Sequence, residues 1–504
     1  MSQSSTPSPR ASSTTPRSVL QLGLFGLALS LAASAMASGA DFPTVPPAPG
    51  PAPTLSIPTP SLQTLDNGLQ VVSVHRDGLP LVTAQLLLRR GGEMYPADKA
   101  GLSDLTANLL TKGAAGKSAP QIAAEAEALG GSLAASADWD QAGVGITVTT
   151  PRLPAALALL ADVVRRPQFD DEELARARTQ AIGDLRLQLS RPSALAQLVA
   201  NRAVFGAGAY GHSRAGTPDS LANIQRGDVQ SLHAALYRPD NAILVLAGDI
   251  TAASALELAQ ASFGDWQAPA SALSPAPDGA GASKLPAVLV IDQPGAGQAG
   301  VVVAHAAPPR DDADHYTGAL ANAVLGGSYS ARLNQEIRIK RGLSYGAGSR
   351  LGARRGSGLW LASAQTKNPS APQVVDLMQA QFALLGSTPI AADELAARKA
   401  TLIGGYGRSL ETTAGLADNV GELAVYGIDL AEIGRYIERV QAVSTAQIQA
   451  YAGKHLAAEG THVVIVGDAA QFDAVLLKAH PQAVTLQADR IDLDRADLVQ
   501  AGDK

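Results

Sequence analysis

The chain contains no cysteine, so no disulfide supports its fold and packing alone must hold it. Aromatic residues make up only 4 % of it, while alanine and glycine abound. That composition suits closely packed helices and sheets, not disorder. A strong charge of either sign is also missing. The mild net charge of −6 argues against general nucleic-acid binding, which normally shows a basic domain. Beyond residue 40 no apolar run approaches the ~20 residues of a membrane span. The eight histidines are scattered, with no pair at i, i+4 and no H-E-x-x-H. A length of 504 residues is too great for one ordinary core and implies roughly two to four domains.

What is present begins with a targeting pattern. Arg10 and Arg17 precede an apolar run, Val19–Leu31, and then Ala35-Met36-Ala37, an A-x-A cleavage pattern. Residues 1–40 are therefore expected to export the chain, to the periplasm in a Gram-negative cell. If the signal is not cleaved, it anchors the chain to the membrane. Residues 41–60 are a proline-rich tether, extended because proline fixes φ and removes donors.

Folded sequence is expected from Ser61. Asp66-Asn67-Gly68 marks a turn before the strand pattern LQVVSVH, and Leu81–Leu88 is a second strand. A helix follows over Lys117–Leu129 with Ser118 as its N-cap. Val144, Ile146 and Val148 alternate with small or polar residues, as in a half-buried strand. Leu157, Leu160, Ala161 and Val164 define one helical face, and a longer helix spans Asp171–Ser190. Ile243–Ala247 is a buried type of strand.

Residues 267–285 form an Ala/Pro/Gly/Ser linker, after which the pattern repeats loosely. Strands at Ala287–Ile291 and Gly300–His305 lead to a helix at Tyr316–Leu325, and THVVIVGD, ending at Asp468, echoes NAILVLAGD, ending at Asp249. That period is far longer than the ~20–50 residues of a solenoid repeat and implies a duplicated domain. The expected class is α+β, with two homologous domains, each a mostly antiparallel sheet covered by helices on one face. The boundaries are 61–266 and 286–485, with a tail over 486–504.

The stretch Gly101–Gly113, GLSDLTANLLTKG, is a helix in the place where an H-x-x-E-H zinc helix would stand. With Ala128-Leu129-Gly130-Gly131, FGAGAYGHSRAGTPDSL, YRPDNAILVLAGD and SARLNQEIRIKRGLSYGAGS, it resembles the pitrilysin/insulinase family of inverted zinc metallopeptidases. The two-domain bacterial members and the subunits of mitochondrial processing peptidase are the nearest in pattern. The resemblance spans Leu65 to Asp468 and implies two similar α+β domains per chain, four of which enclose a chamber. In one branch, two different chains share an active site. One chain brings H-x-x-E-H and zinc, and the other an arginine and a tyrosine from its second domain.

By that resemblance Asp104 and Asn108 stand where the two histidines would be, Ala107 where the glutamate would be, and Asp184 where the third ligand falls. An amide is a poor substitute for imidazole on zinc, and Ala107 offers no proton acceptor to activate water. No metal is expected at these positions. Arg338 and Tyr345 keep the family's spacing, with a phenol to stabilise an oxyanion and a guanidinium to bind a peptide carbonyl. Without the resemblance the same two residues read as an exposed helical Arg and a packed strand Tyr. Asn334 departs from the family, which usually has an aromatic residue there.

Other signals carry less. Gly342-Leu343-Ser344-Tyr345-Gly346 spells G-x-S-x-G, but it runs from helix to strand and not from strand to helix. Thr111–Ser118 ends like a phosphate loop but lacks its first glycine and follows a helix. His212 is expected in a loop, and Asp311, Asp312 and Asp314 beside His315 are expected to cap a helix. Arg332, Arg338, Lys340, Arg341, Arg350, Arg354 and Arg355 form a basic region, either a solvated face or a chamber wall.

The functional expectation is a non-catalytic subunit of an exported heterodimeric zinc peptidase, inactive alone, with zinc in an H-x-x-E-H partner and peptides as substrates. The alternative is a catalytically silent scaffold, perhaps a homodimer. A lone peptidase using Asp104, Asn108 and Asp184 with an unusual metal is the third reading. No nucleic-acid partner is expected, and no membrane span once the signal is removed.

Overall fold

Alternating apolar residues build the first sheet. The computed structural model describes residues 57–500, apart from 93, 94 and 96. The export signal, most of the proline-rich tether and the last four positions of the tail lie outside the described residues.

Six strands form sheet one: β1 (Ser61–Thr64), β2 (Gln70–His75), β3 (Leu81–Leu88), β4 (Ala134–Ala137), β5 (Ala142–Thr149) and β6 (Ala242–Gly248). Sheet two has six more: β7 (Val288–Asp292), β8 (Ala299–Ala307), β9 (Ser344–Gly352), β10 (Gly358–Thr366), β11 (His462–Gly467) and β12 (Val484–Gln487). The spatial orders are β1-β2-β6-β3-β5-β4 and β12-β7-β11-β8-β10-β9. Apart from the outermost β1 and β12, strand for strand the two orders are the same, as a duplication requires. In each sheet one internal pair is parallel, β2 with β6 and β7 with β11. β12 adds a second parallel pair with β7. The remaining pairs are antiparallel. The architecture is α+β with two sheet-containing domains.

Helices in the first half are α1 (Leu102–Leu109), α2 (Ala119–Ala128), α3 (Leu153–Arg165), α4 (Asp171–Leu189), α5 (Pro192–Phe205), α6 (Arg226–Leu236) and α7 (Ala252–Phe263). Ser118 closes a capping box with Gln121 at the start of α2. The second half contributes α8 (His315–Leu325), α9 (Ala371–Ser387), α10 (Ala392–Ser409), α11 (Thr413–Tyr426) and α12 (Thr445–His455).

One face of each sheet packs on helices of its own half, with Leu86, Val144 and Ile146 against Leu105 and Leu157 in the first. In the second half, Val301 and Trp360 pack against Leu320 and Met378. The other face of each sheet carries a helix from the opposite half. Leu195, Val199 and Phe205 of α5 lie on Val302, Leu361 and Val464 of sheet two. In return, Leu416, Val420 and Leu423 of α11 lie on Val72, Ile243 and Val245 of sheet one. The central strands β6 and β11 are apolar on both faces for this reason: Ala242–Gly248 is buried at every position.

Two glycines permit this exchange. A Cβ on Gly300 of β8 would come within 2.5 Å of the Ser193 backbone at the start of α5. One on Gly421 of α11 would meet the end of the Leu87 side chain at 2.7 Å. The described chain packs as one compact unit. Its tail closes on the first half, with Arg202 donating to the Leu493 carbonyl at 2.8 Å and Thr217 to Asp494 at 2.6 Å. No helix among the described residues is long and apolar enough to cross a membrane.

Candidate functional site

Asp104 and Asn108 lie one turn apart on α1, so the helix presents both to one side. Ala107 between them is fully buried in the core, and Asn108 is exposed. Asp104 is half-buried and accepts from Arg214 Nη1 at 2.5 Å. The same nitrogen donates to the Ala137 carbonyl at 2.6 Å, which ties α1 to strand β4. Burial pushes the Asp104 carboxyl up to about 6 despite the Arg214 guanidinium beside it. Asp184, on the exposed side of α4, accepts from Gln180 of its own helix at 3.0 Å and 3.1 Å. Zinc does not fit this donor set. One oxygen donor already holds a guanidinium, another is engaged along its own helix, and the position of the base is a buried methyl. Among the described residues no group of three or more His, Cys, Asp or Glu side chains is arranged to hold a metal ion.

Arg214 carries this geometry, and its sequence signal was faint. It sits two residues from His212, which takes a loop position and turns its Nε2 towards the Tyr95 carbonyl at 2.9 Å. A half-buried aspartate calls for a cation nearby. Only the fold shows which one.

The second cluster surrounds β9. After Arg332–Asn334 the helix widens to a π-turn over Gln335–Ile339, which holds Arg338. The Arg338 guanidinium lies 4.8 Å from the centre of the Tyr329 ring. Tyr345 is 91 % exposed. It stands where the β9–β10 ladder slips between Ser344 and Ala347, a bulge that turns its side chain out of the sheet. Among the described residues no hydrogen bond or ring contact joins Arg338 to Tyr345. Asn334 links their supports: it donates to the Tyr329 carbonyl at 2.6 Å and accepts from the Ala347 amide at 3.3 Å. Its amide is a polar tie between them. Ser344 follows the π-turn and begins a strand, so no nucleophile elbow forms.

The basic region divides into separate roles. Arg332 pairs with Glu394 at 3.0 Å and 2.7 Å, and Arg341 with Glu336 at 2.5 Å; Lys340 also pairs with Glu336. Arg354 is buried among the rings of Trp139, Phe205 and Tyr210. Arg355 donates to the Arg89 carbonyl at 3.1 Å. Arg350 is exposed.

A groove of about 490 Å³ runs along the face of sheet one that β4 and β5 share, floored by Ser136, Gly143, Gly145 and Thr147. Strand β4 is the outermost strand of its sheet, as β9 is of the other.

Comparison with known proteins fits this arrangement. The sequence model described as "Insulinase (Peptidase family M16)" matches residues 70–217, and "Peptidase M16 inactive domain" matches residues 223–402. The chain belongs to the M16 (insulinase) peptidase family. Curated relatives include an uncharacterized zinc protease of Bacillus subtilis, 24 % identical over 69 % of this chain and 84 % of the relative. Another, from Mycobacterium tuberculosis, is 24 % identical over 84 % of this chain and 96 % of the relative. Among solved structures, a peptidase M16 inactive domain from Pseudomonas fluorescens superposes with a TM-score of 0.75 at 26 % identity, covering 81 % of this chain and 98 % of that one. A protease from Helicobacter pylori shares the fold, with a TM-score of 0.76 at 20 % identity over 81 % of this chain and 100 % of its own. In this M16 chain the helix Leu102–Leu109 carries the Asp104–Arg214 ion pair.

Proposed function

We propose that this chain is the non-catalytic subunit of an exported heterodimeric zinc metallopeptidase. A partner of the same family would bring H-x-x-E-H and zinc; this chain would bring Arg338, Tyr345 and half of the peptide-holding chamber. The carrying observation is the contrast between the two clusters. The α1 cluster is closed by the Asp104–Arg214 pair and has no base at Ala107. Tyr345 is held out on a bulge with its ring exposed, as a group acting on another chain must be.

In that complex the Tyr345 hydroxyl donates to the oxyanion formed as a peptide carbonyl is attacked. Arg338 binds a neighbouring peptide carbonyl and holds its charge near the phenol. The groove beside β4 holds the substrate in extended form, and the free edge of β4 offers backbone groups to pair with it. Export follows from the residue pattern of positions 1–40.

The test is co-purification from the native source with identification of any bound chain. The purified chain alone should contain no stoichiometric zinc by elemental analysis and should cleave no peptide. Adding the H-x-x-E-H partner should produce hydrolysis. A stable self-dimer that recruits no zinc-bearing chain would replace this reading with the scaffold.

A further inference from the structure

A cavity of about 430 Å³ lies where the β4–β5 turn meets the β9–β10 turn, between Asp138–Gln141 on one side and Arg350–Arg354 on the other. It shares Asp138, Gln141 and Arg214 with the groove along sheet one, so the two are continuous.

Three arginines line it: Arg214 is paired with Asp104, whereas among the described residues neither Arg350 nor Arg354 is ion-paired with a carboxylate. Arg350 makes no side-chain hydrogen bond, ion pair or ring contact among the described residues; although it is exposed, partial desolvation lowers its pKa. Arg354 is only 8 % exposed. Its Nη2 donates to Asn201 at 3.0 Å, and its Nη1 is buried without a partner. Among the described residues no carboxylate forms an ion pair with it, and burial pushes its pKa down to about 10 although Asp140 and Asp138 oppose the shift. An unpartnered buried N–H on a charged group is costly, and in native structures such a group commonly faces something that completes it.

The acids in the cavity are already committed. Asp140 accepts from the Tyr210 hydroxyl at 2.5 Å, the Tyr426 hydroxyl at 3.0 Å and the Arg355 amide at 2.9 Å. Asp138 accepts from the Trp139 amide at 2.8 Å and stands 3.5 Å from Arg214. The lining carries three arginines against two aspartates, and the cavity lies at the end of a groove floored by small residues. A planar carboxylate suits it, because guanidinium groups bind carboxylates through paired N–H donors.

We propose that this cavity is a carboxylate-recognition site that takes an acidic side chain or the terminal carboxylate of a peptide lying in the groove. Arg350 makes the first contact from the exposed wall, and Arg354 supplies the buried donor. The inference rests on the peptide-holding part of the proposed function and names the substrate class it favours.

Fluorescence anisotropy on the full chain tests it with dye-labelled short peptides of neutral polar sequence. One pair carries a central Glu or Gln with an amidated C-terminus; a second pair carries Gln with a free or an amidated C-terminus. The favoured carboxylate should bind roughly ten- to a hundred-fold tighter than its neutral counterpart. The first pair reports an acidic side chain, and the second reports a peptide end. Arg350→Gln should remove the preference without changing the thermal unfolding temperature. Equal affinity within both pairs, no measurable binding of any peptide, or a preference that survives Arg350→Gln overturns the proposal. These readouts need no partner chain, so a failure here is distinct from a failure to find the zinc-bearing subunit.

Discussion

Asp104 is the residue of helix α1 whose charge state the fold alters most directly. Its carboxyl titrates at about 6 in the folded chain, above the ordinary 3.8, because burial penalises its charge more than Arg214 repays. The folded state therefore binds this proton more tightly than the unfolded one. The resulting stabilisation is complete below 3.8 and is lost as pH rises to about 6. Urea unfolding of the wild type against Asp104→Asn should show the difference moving against the wild type through that window and levelling above it. A pH-independent difference would mean that the ion pair compensates ionisation fully. At the other cluster, Tyr345→Phe in the reconstituted complex should lower kcat by about 10²–10³ while changing KM less. Unchanged turnover would remove the phenol from the chemistry. The spacing of Arg338 and Tyr345 was legible from the chain. The Asn334 tie between their supports was not, because its partners Tyr329 and Ala347 are joined only by the fold.

Among elements, the exchanged helices α5 and α11 set the tolerances. At Gly300 the obstacle to a side chain is the Ser193 backbone, which cannot swing aside. Gly300→Ala should therefore cost about 1–3 kcal/mol by overpacking, measured by chemical denaturation. At Gly421 the obstacle is the flexible end of Leu87, and alanine is the better helix former by ~1 kcal/mol. Gly421→Ala should be close to neutral. An equal cost at both sites would show that the helix contacts, not the identity of the obstacle, decide the effect. Strand β3 was legible to the residue, Leu81–Leu88, since both neighbours impose the same pleat over its whole length. The helix faces of α5 and α11 read only as apolar; which sheet each covers depends on a partner far away in sequence.

Across the whole molecule, the exchange means that neither half completes its own core. Residues 61–266 expressed alone would expose the face of sheet one that α11 covers, and 286–485 alone the face that α5 covers. Each half alone should aggregate, while the two co-expressed should co-elute on size exclusion. Soluble, independently melting halves would count against the interlock. With no disulfide available, this mutual packing is the covalent-free substitute that holds the two sheets in one unit.

The sequence by itself determined the element order, the duplication seen in NAILVLAGD and THVVIVGD, and the presence of Asp104, Ala107 and Asn108 on one short helix. These are local patterns of period, cap and residue type. The tertiary structure alone decided that Arg214 meets Asp104, that each half lends a helix to the other, and that Arg350 and Arg354 share a cavity with the β4–β5 turn. Those are choices of partner between distant segments. They depend on how two sheets face each other, which no local pattern encodes.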